Sequence, residues 1–131
     1  METRLDYLAY HKHLIAQLAQ RATELLESAP FREEAHSDLS KRLTALVNAS
    51  PDDAFYTEGQ ACLCKIIAAW PQLTSSVARD LLWFFGGDCL QFMPDDEIRQ
   101  FQTLDEARFE AESTGDTPDY GKLRQQIFGL H

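Results

Sequence analysis

Positive charge is scarce in this chain. Its 131 residues hold 12 lysines and arginines against 21 aspartates and glutamates, a formal net charge of −9. A nucleic-acid binder neutralises phosphates with clustered basic side chains, so nucleic acid is not an expected partner. Long apolar runs are also missing. No stretch approaches the roughly 20 residues that cross a bilayer, and Met1-Glu2-Thr3-Arg4-Leu5-Asp6 lacks the apolar segment of a secretory signal. No membrane association is therefore expected. Cysteine is limited to three residues, which cannot pair off internally, and this predicts a reducing, cytoplasmic setting rather than a disulfide scaffold. What is present is ordinary globular composition: 44% apolar and 25% charged residues exclude wholesale disorder. The length suits a single domain over residues 1–131.

Helical periodicity dominates. Leu5, Leu8, Ile15, Leu18, Ala22, Leu25 and Ala29 recur at helical spacings over Thr3 to Ser28, forming one stripe. His11, His13, Gln17, Gln20, Arg21 and Glu24 fall mostly off it. Thr3 and Asp6 supply a capping box, and Pro30 sets the boundary. Phe31 to Asn48 repeats the pattern through Leu39, Leu43 and Leu46, before a turn over residues 48–51. Thr57-Glu58-Gly59-Gln60 caps a third helix that ends at Pro71, with Gly59 weakening its intrinsic propensity.

The most apolar part spans Ser76 to Phe85 and predicts a central helix closed by Gly86. A rival reading makes Leu81–Phe85 and Cys89–Met93 two strands of a hairpin turning at Gly86-Gly87-Asp88. Pro94 opens a helix led by Asp95, Asp96 and Glu97. Thr103-Leu104-Asp105-Glu106 predicts a second start, and Asp119 caps a last helix closed by Gly129. The expectation is an all-α, irregular orthogonal bundle of six or seven short helices around residues 76–85.

The acidity is concentrated. Residues 94–119 carry nine acidic groups against Arg99 and Arg108. Solvated helix starts account for part of this. The rest suggests a docking face for a basic protein, with Asp95, Asp96, Glu97, Asp105, Glu106 and Glu110 as its carboxylates and Phe92 as an aromatic contact. A homodimer seam over an uncovered aromatic face is a second way to bury the block Trp83, Phe84, Phe85, Phe92 and Met93.

Metal and cofactor chemistry find little support. Cys62 and Cys64 point about 200° apart on a helix, so they do not clamp one ion, and His11 and His13 diverge likewise. No His-Glu-x-x-His, nucleophile elbow, P-loop or dinucleotide fingerprint is present. No metal, cofactor or catalytic residue is expected. The alternative to a binding protein is a small enzyme or ligand-binding domain with a pocket built from Asp80, Asp88, Tyr56 and His36.

Gly86-Gly87-Asp88 resembles the Gly-Gly-Asp-Glu-Phe signature of diguanylate cyclases, and Leu43-Thr44-Ala45-Leu46-Val47-Asn48 is similar to an earlier segment of that family. The second acidic position is Cys89 and the aromatic position is Leu90, so the metal chemistry of that family lacks its residues. The stretch Asp80-Leu81-Leu82-Trp83-Phe84-Phe85-Gly86-Gly87-Asp88-Cys89-Leu90-Gln91-Phe92-Met93-Pro94-Asp95-Asp96-Glu97-Ile98 resembles a block in small uncharacterised pseudomonad-type bacterial proteins. That resemblance implies a stand-alone cytosolic family of about this length and brings no functional residue with it.

Overall fold

Seven α-helices and one 3₁₀ segment account for the described residues, which in this computed structural model are 6–26, 34–115 and 119–128. They are α1 (Tyr7–Leu26), α2 (Glu34–Asn48), α3 (Asp53–Ala69), α4 (Pro71–Thr74), α5 (Arg79–Phe85), the 3₁₀ segment (Gly87–Phe92), α6 (Asp95–Ser113) and α7 (Tyr120–Phe128). No strand occurs among the described residues, so the chain is all-α and the hairpin is not formed. Gly86 ends α5 at φ +65° and Gly87 follows at +56°. Two successive glycines in this region let the chain leave a helix and enter another helical turn rather than return as a strand.

Local chemistry explains most boundaries and moves several from where spacing predicts them. At α1 the Asp6 carboxylate accepts from the Ala9 amide at 2.8 Å, while Thr3 lies outside the described residues. Helix α3 starts ahead of the capping box, because Asp52 accepts from the Phe55 amide at 2.9 Å. Pro71 opens the one-turn α4 rather than a simple loop. The apolar segment then becomes helical at Arg79, with no side-chain cap at Ala78. The second start at Thr103 does not form: its hydroxyl donates to the Arg99 carbonyl at 3.0 Å inside a continuous α6. Asp119 caps α7 by accepting from the Lys122 amide at 3.2 Å, and Gly129 lies outside the described residues.

The residues cluster into two compact units, 12–92 and 1–11 with 93–131. In the larger unit α3 is the element on which the others gather, packing against α2, α4, α5 and the 3₁₀ segment. It has nearly five turns of surface to offer, where α5 has two. Leu39, Leu43, Phe55, Leu63, Ile66, Leu73, Leu81 and Leu82 fill its core. The Ser40 hydroxyl donates to Thr23 Oγ1 at 2.7 Å, since the Thr23 hydrogen is already given to the Ala19 carbonyl. Gly59 has a packing role: the Phe85 ring lies directly on its Cα, in space a side chain would fill.

In the smaller unit α6 packs on α7, with Phe101 and Phe128 edge to face at 5.0 Å. Tyr120 and His11 are fully buried. The rings of Tyr7, Tyr10 and Tyr120 stand 4.5, 5.3 and 5.1 Å from the imidazole of His11. His11 Nδ1–H donates to the Tyr7 carbonyl at 2.7 Å. A carbonyl only accepts, so the proton sits on Nδ1 in this arrangement. His11 therefore belongs inside the fold, not off the apolar stripe.

Candidate functional site

Helix α6 carries seven carboxylates and two arginines. Phe101 and Leu104 turn inward, and 100° per residue then assigns the opposite side. Asp95, Asp96, Arg99, Gln102, Thr103, Glu106, Phe109 and Glu110 are exposed there. Glu97 and Asp105 are half-buried, so the exposed carboxylates of the predicted set are Asp95, Asp96, Glu106 and Glu110. The first three acidic positions also complement the positive end of the helix.

Phe109 lies within this face. It is 56% exposed, the one exposed large apolar side chain among the described residues. One side of its ring is packed. The Arg108 guanidinium stacks 4.4 Å from the Phe109 ring and 3.9 Å from that of Tyr7. Arg108 is only 14% exposed and pairs with Asp105 at 3.7 Å and Glu112 at 3.3 Å. The salt bridges position the cation, and the cation positions the ring. No single-residue pattern announces Phe109; its i,i+1 neighbour Arg108 and the inward spacing of Phe101 and Leu104 are the only sequence signals for it.

A second polar feature is a cleft lined by Arg42, Leu46, Ser50, Asp52, Phe55 and Glu58. Arg42 donates to both Glu58 oxygens, at 2.9 and 2.6 Å. At the other end Lys12 Nζ donates to the Ala49 carbonyl at 2.6 Å. The two-fold hydrogen bond from Arg42 holds the Glu58 carboxyl below its ordinary value of 4.5, burial opposing it. Because the folded value is depressed, the pair's stabilisation is present above the ordinary value and lost as pH falls through the depressed one. Glu58 is 39% exposed, so solvent screening limits the effect to about 0.5–1 kcal/mol. Glu58→Gln is expected to remove that much stability at neutral pH and none in acid, as read by urea unfolding at both pH values.

The remaining candidates stand on different elements. Asp80 is buried in the first turn of α5, whereas Asp88 is exposed in the first turn of the 3₁₀ segment. Tyr56 is half-buried with its ring 5.5 Å from Phe84 and 5.0 Å from Phe55. The side chain of His36 lies outside the described residues. Phe92 is half-buried, and its carbonyl accepts from Arg79 at 2.8 Å. The cleft at Arg42, a groove along Ala16, Ala19, Thr23, Thr44 and Val47, and a crevice beside Trp70 are lined by other residues.

The cysteines separate as their spacing requires. Cys62 is buried near Arg42 and Glu58, and burial pushes its thiol up to about 11. Cys64 is half-buried, and the buried Cys89 thiol donates to the Gln60 carbonyl, one turn earlier on α3, at 3.9 Å. Among the described residues, no three His, Cys, Asp or Glu side chains are grouped to hold a metal ion. None of the described helices is long and apolar enough to cross a membrane.

These features define an all-α protein with a negatively charged helical face and one presented aromatic ring. The chain belongs to the PA2817-like family, whose sequence pattern matches residues 3–130. No curated protein and no solved structure matches it at a significant level.

Proposed function

We propose that this protein is a non-catalytic, regulatory binding protein that receives a basic partner protein on the exposed face of α6. The observation that carries this reading is the position of Phe109: an exposed ring, stacked against Arg108, beside the carboxylates of Glu106 and Glu110. An aromatic side chain left in water forgoes the gain from burial, about 1–2 kcal/mol for the area still exposed. A ring already stacked on one side has less freedom to lose when a partner covers it. The surrounding carboxylates steer a basic surface toward it and discourage acidic ones. A second copy of this chain brings the same negative helix, so like-charge repulsion favours a different protein over a homodimer on this face. The same repulsion disfavours nucleic acid and anionic membranes as ligands.

The test is capture of partners at low salt, followed by binding kinetics with the purified partner. Glu106→Lys with Glu110→Lys is expected to slow association about tenfold or more, with the loss shrinking at high salt. Phe109→Ala is expected to speed dissociation and leave association nearly unchanged. A partner indifferent to both changes would remove the reading.

A further inference from the structure

Cys64 and Cys89 are independent of the α6 face. Gln60 links the elements that carry them. Its Nε2 donates to the Phe85 carbonyl at 2.9 Å, and its own carbonyl accepts from the Cys89 thiol at 3.9 Å. Gly87 passes so close to the Gln60 side chain that a Cβ there would meet it. The start of the 3₁₀ segment is thereby seated on α3 at Gln60. Cys64 stands one helical turn further along α3, where its amide meets the same Gln60 carbonyl that accepts from the Cys89 thiol. Cys62 projects about 200° away from Cys64 around the helix, so it is not a competitor for either sulfur.

We propose that Cys64 and Cys89 form an oxidant-responsive dithiol, closing to an internal disulfide that ties the 3₁₀ segment to α3. The two sulfurs differ in access. Cys89 is fully buried, and burial together with Cys64 and Asp88 pushes its thiol up to about 12. It stays protonated and shielded, while half-buried Cys64 meets the oxidant first. With a hydroperoxide as oxidant, the Cys64 thiolate attacks the terminal oxygen and the O–O bond breaks. This gives a sulfenic acid and one water or alcohol. The Cys89 sulfur then attacks the Cys64 sulfur, the S–S bond forms, and the sulfenic oxygen leaves as water with the proton released from Cys89. Two thiol hydrogens are lost and one peroxide is reduced. Thiol reductants reverse the step by exchange, so the pair suits a compartment where disulfides are transient.

Hydrogen peroxide added to the purified chain, followed by alkylation of remaining thiols and peptide mapping without reductant, tests this directly. The expected product is a monomer lacking two hydrogens, with the peptides of Cys64 and Cys89 joined and Cys62 alkylated. Closure should quicken as pH rises, because the buried thiol must lose its proton to attack. Cys62→Ser should leave the link intact and Cys64→Ser should abolish it. Three results would each overturn the proposal: Cys64 driven to sulfinic acid with no link, dimers joined through Cys64, or a link that includes Cys62. The mapping on the unaltered chain decides the matter even if a variant fails to fold.

Discussion

Phe85→Ala is expected to lower the unfolding free energy by about 3–5 kcal/mol, the cost of emptying a well-packed aromatic site. Phe85 is buried on α5 with its ring 5.0 Å from Phe84 and 5.5 Å from Phe55, and it also covers Gly59. That last contact makes a sharper experiment. Gly59→Ala alone forces a methyl group into the Phe85 ring and should destabilise by about 1–3 kcal/mol. With Phe85 already replaced by alanine the obstruction is gone. The better helix propensity of alanine, about 1 kcal/mol, then shows as a gain. The effect of Gly59→Ala thus changes sign with the residue at 85. A double-mutant cycle by urea unfolding measures it, and simple additivity would show that ring and glycine are not coupled as described.

Tyr120→Ala is the second large effect, also about 3–5 kcal/mol. Tyr120 is fully buried, with its ring 5.1 Å from Tyr7 and 4.9 Å from Tyr10. It is the buried residue of α7, a nine-residue helix too short to persist without packing. Its removal should therefore open α7 locally before the rest unfolds. Trypsin cutting after Lys122 and Arg124 reads this opening. Faster cleavage there in the variant is the expected result. Cleavage at the parental rate would mean that another contact seats α7.

The proposed docking face depends on the same unit. Tyr7 is one of the two rings between which Arg108 is stacked, so the aromatic cluster behind α6 also supports the ring in front of it. Loss of Tyr7 should loosen Phe109 without changing the carboxylates. The charge-driven and ring-driven parts of binding are separable in that way.

Much of the fold was legible from residue order. The stripe through Leu8, Ile15, Leu18 and Ala22, the breaks near Pro51, Pro71 and Gly86, and the acidic start of α6 all appear as helices and boundaries at or near those positions. These are local effects of period, cap and backbone restriction. The errors have local causes too. Thr103 carries a capping pattern, but a side chain that can cap can also bond back to the preceding turn, and Phe101 and Leu104 hold α6 together there. His11 stands three residues after Leu8 and four before Ile15, squarely in the stripe, and its polarity masked a spacing that pointed inward.

The candidate site was legible only in outline. Counting charge located residues 94–119, and helical spacing separates Asp95, Glu106 and Glu110 from Phe101 and Leu104. It does not tell that Asp105 and Glu112 are engaged with Arg108, or that Phe109 rather than Phe92 is the exposed ring. Nor does it seat Cys89 on the Gln60 carbonyl, one turn before Cys64.

The scarcity of positive charge, the helical class and the acidic segment followed from sequence alone, because composition and period act over one or two turns. Which carboxylates stay exposed, which ring is presented and what Cys89 packs against were decided by tertiary structure. Those outcomes depend on the facing surfaces of elements far apart in the chain, and a periodicity fixes the direction of a side chain without naming what it will meet.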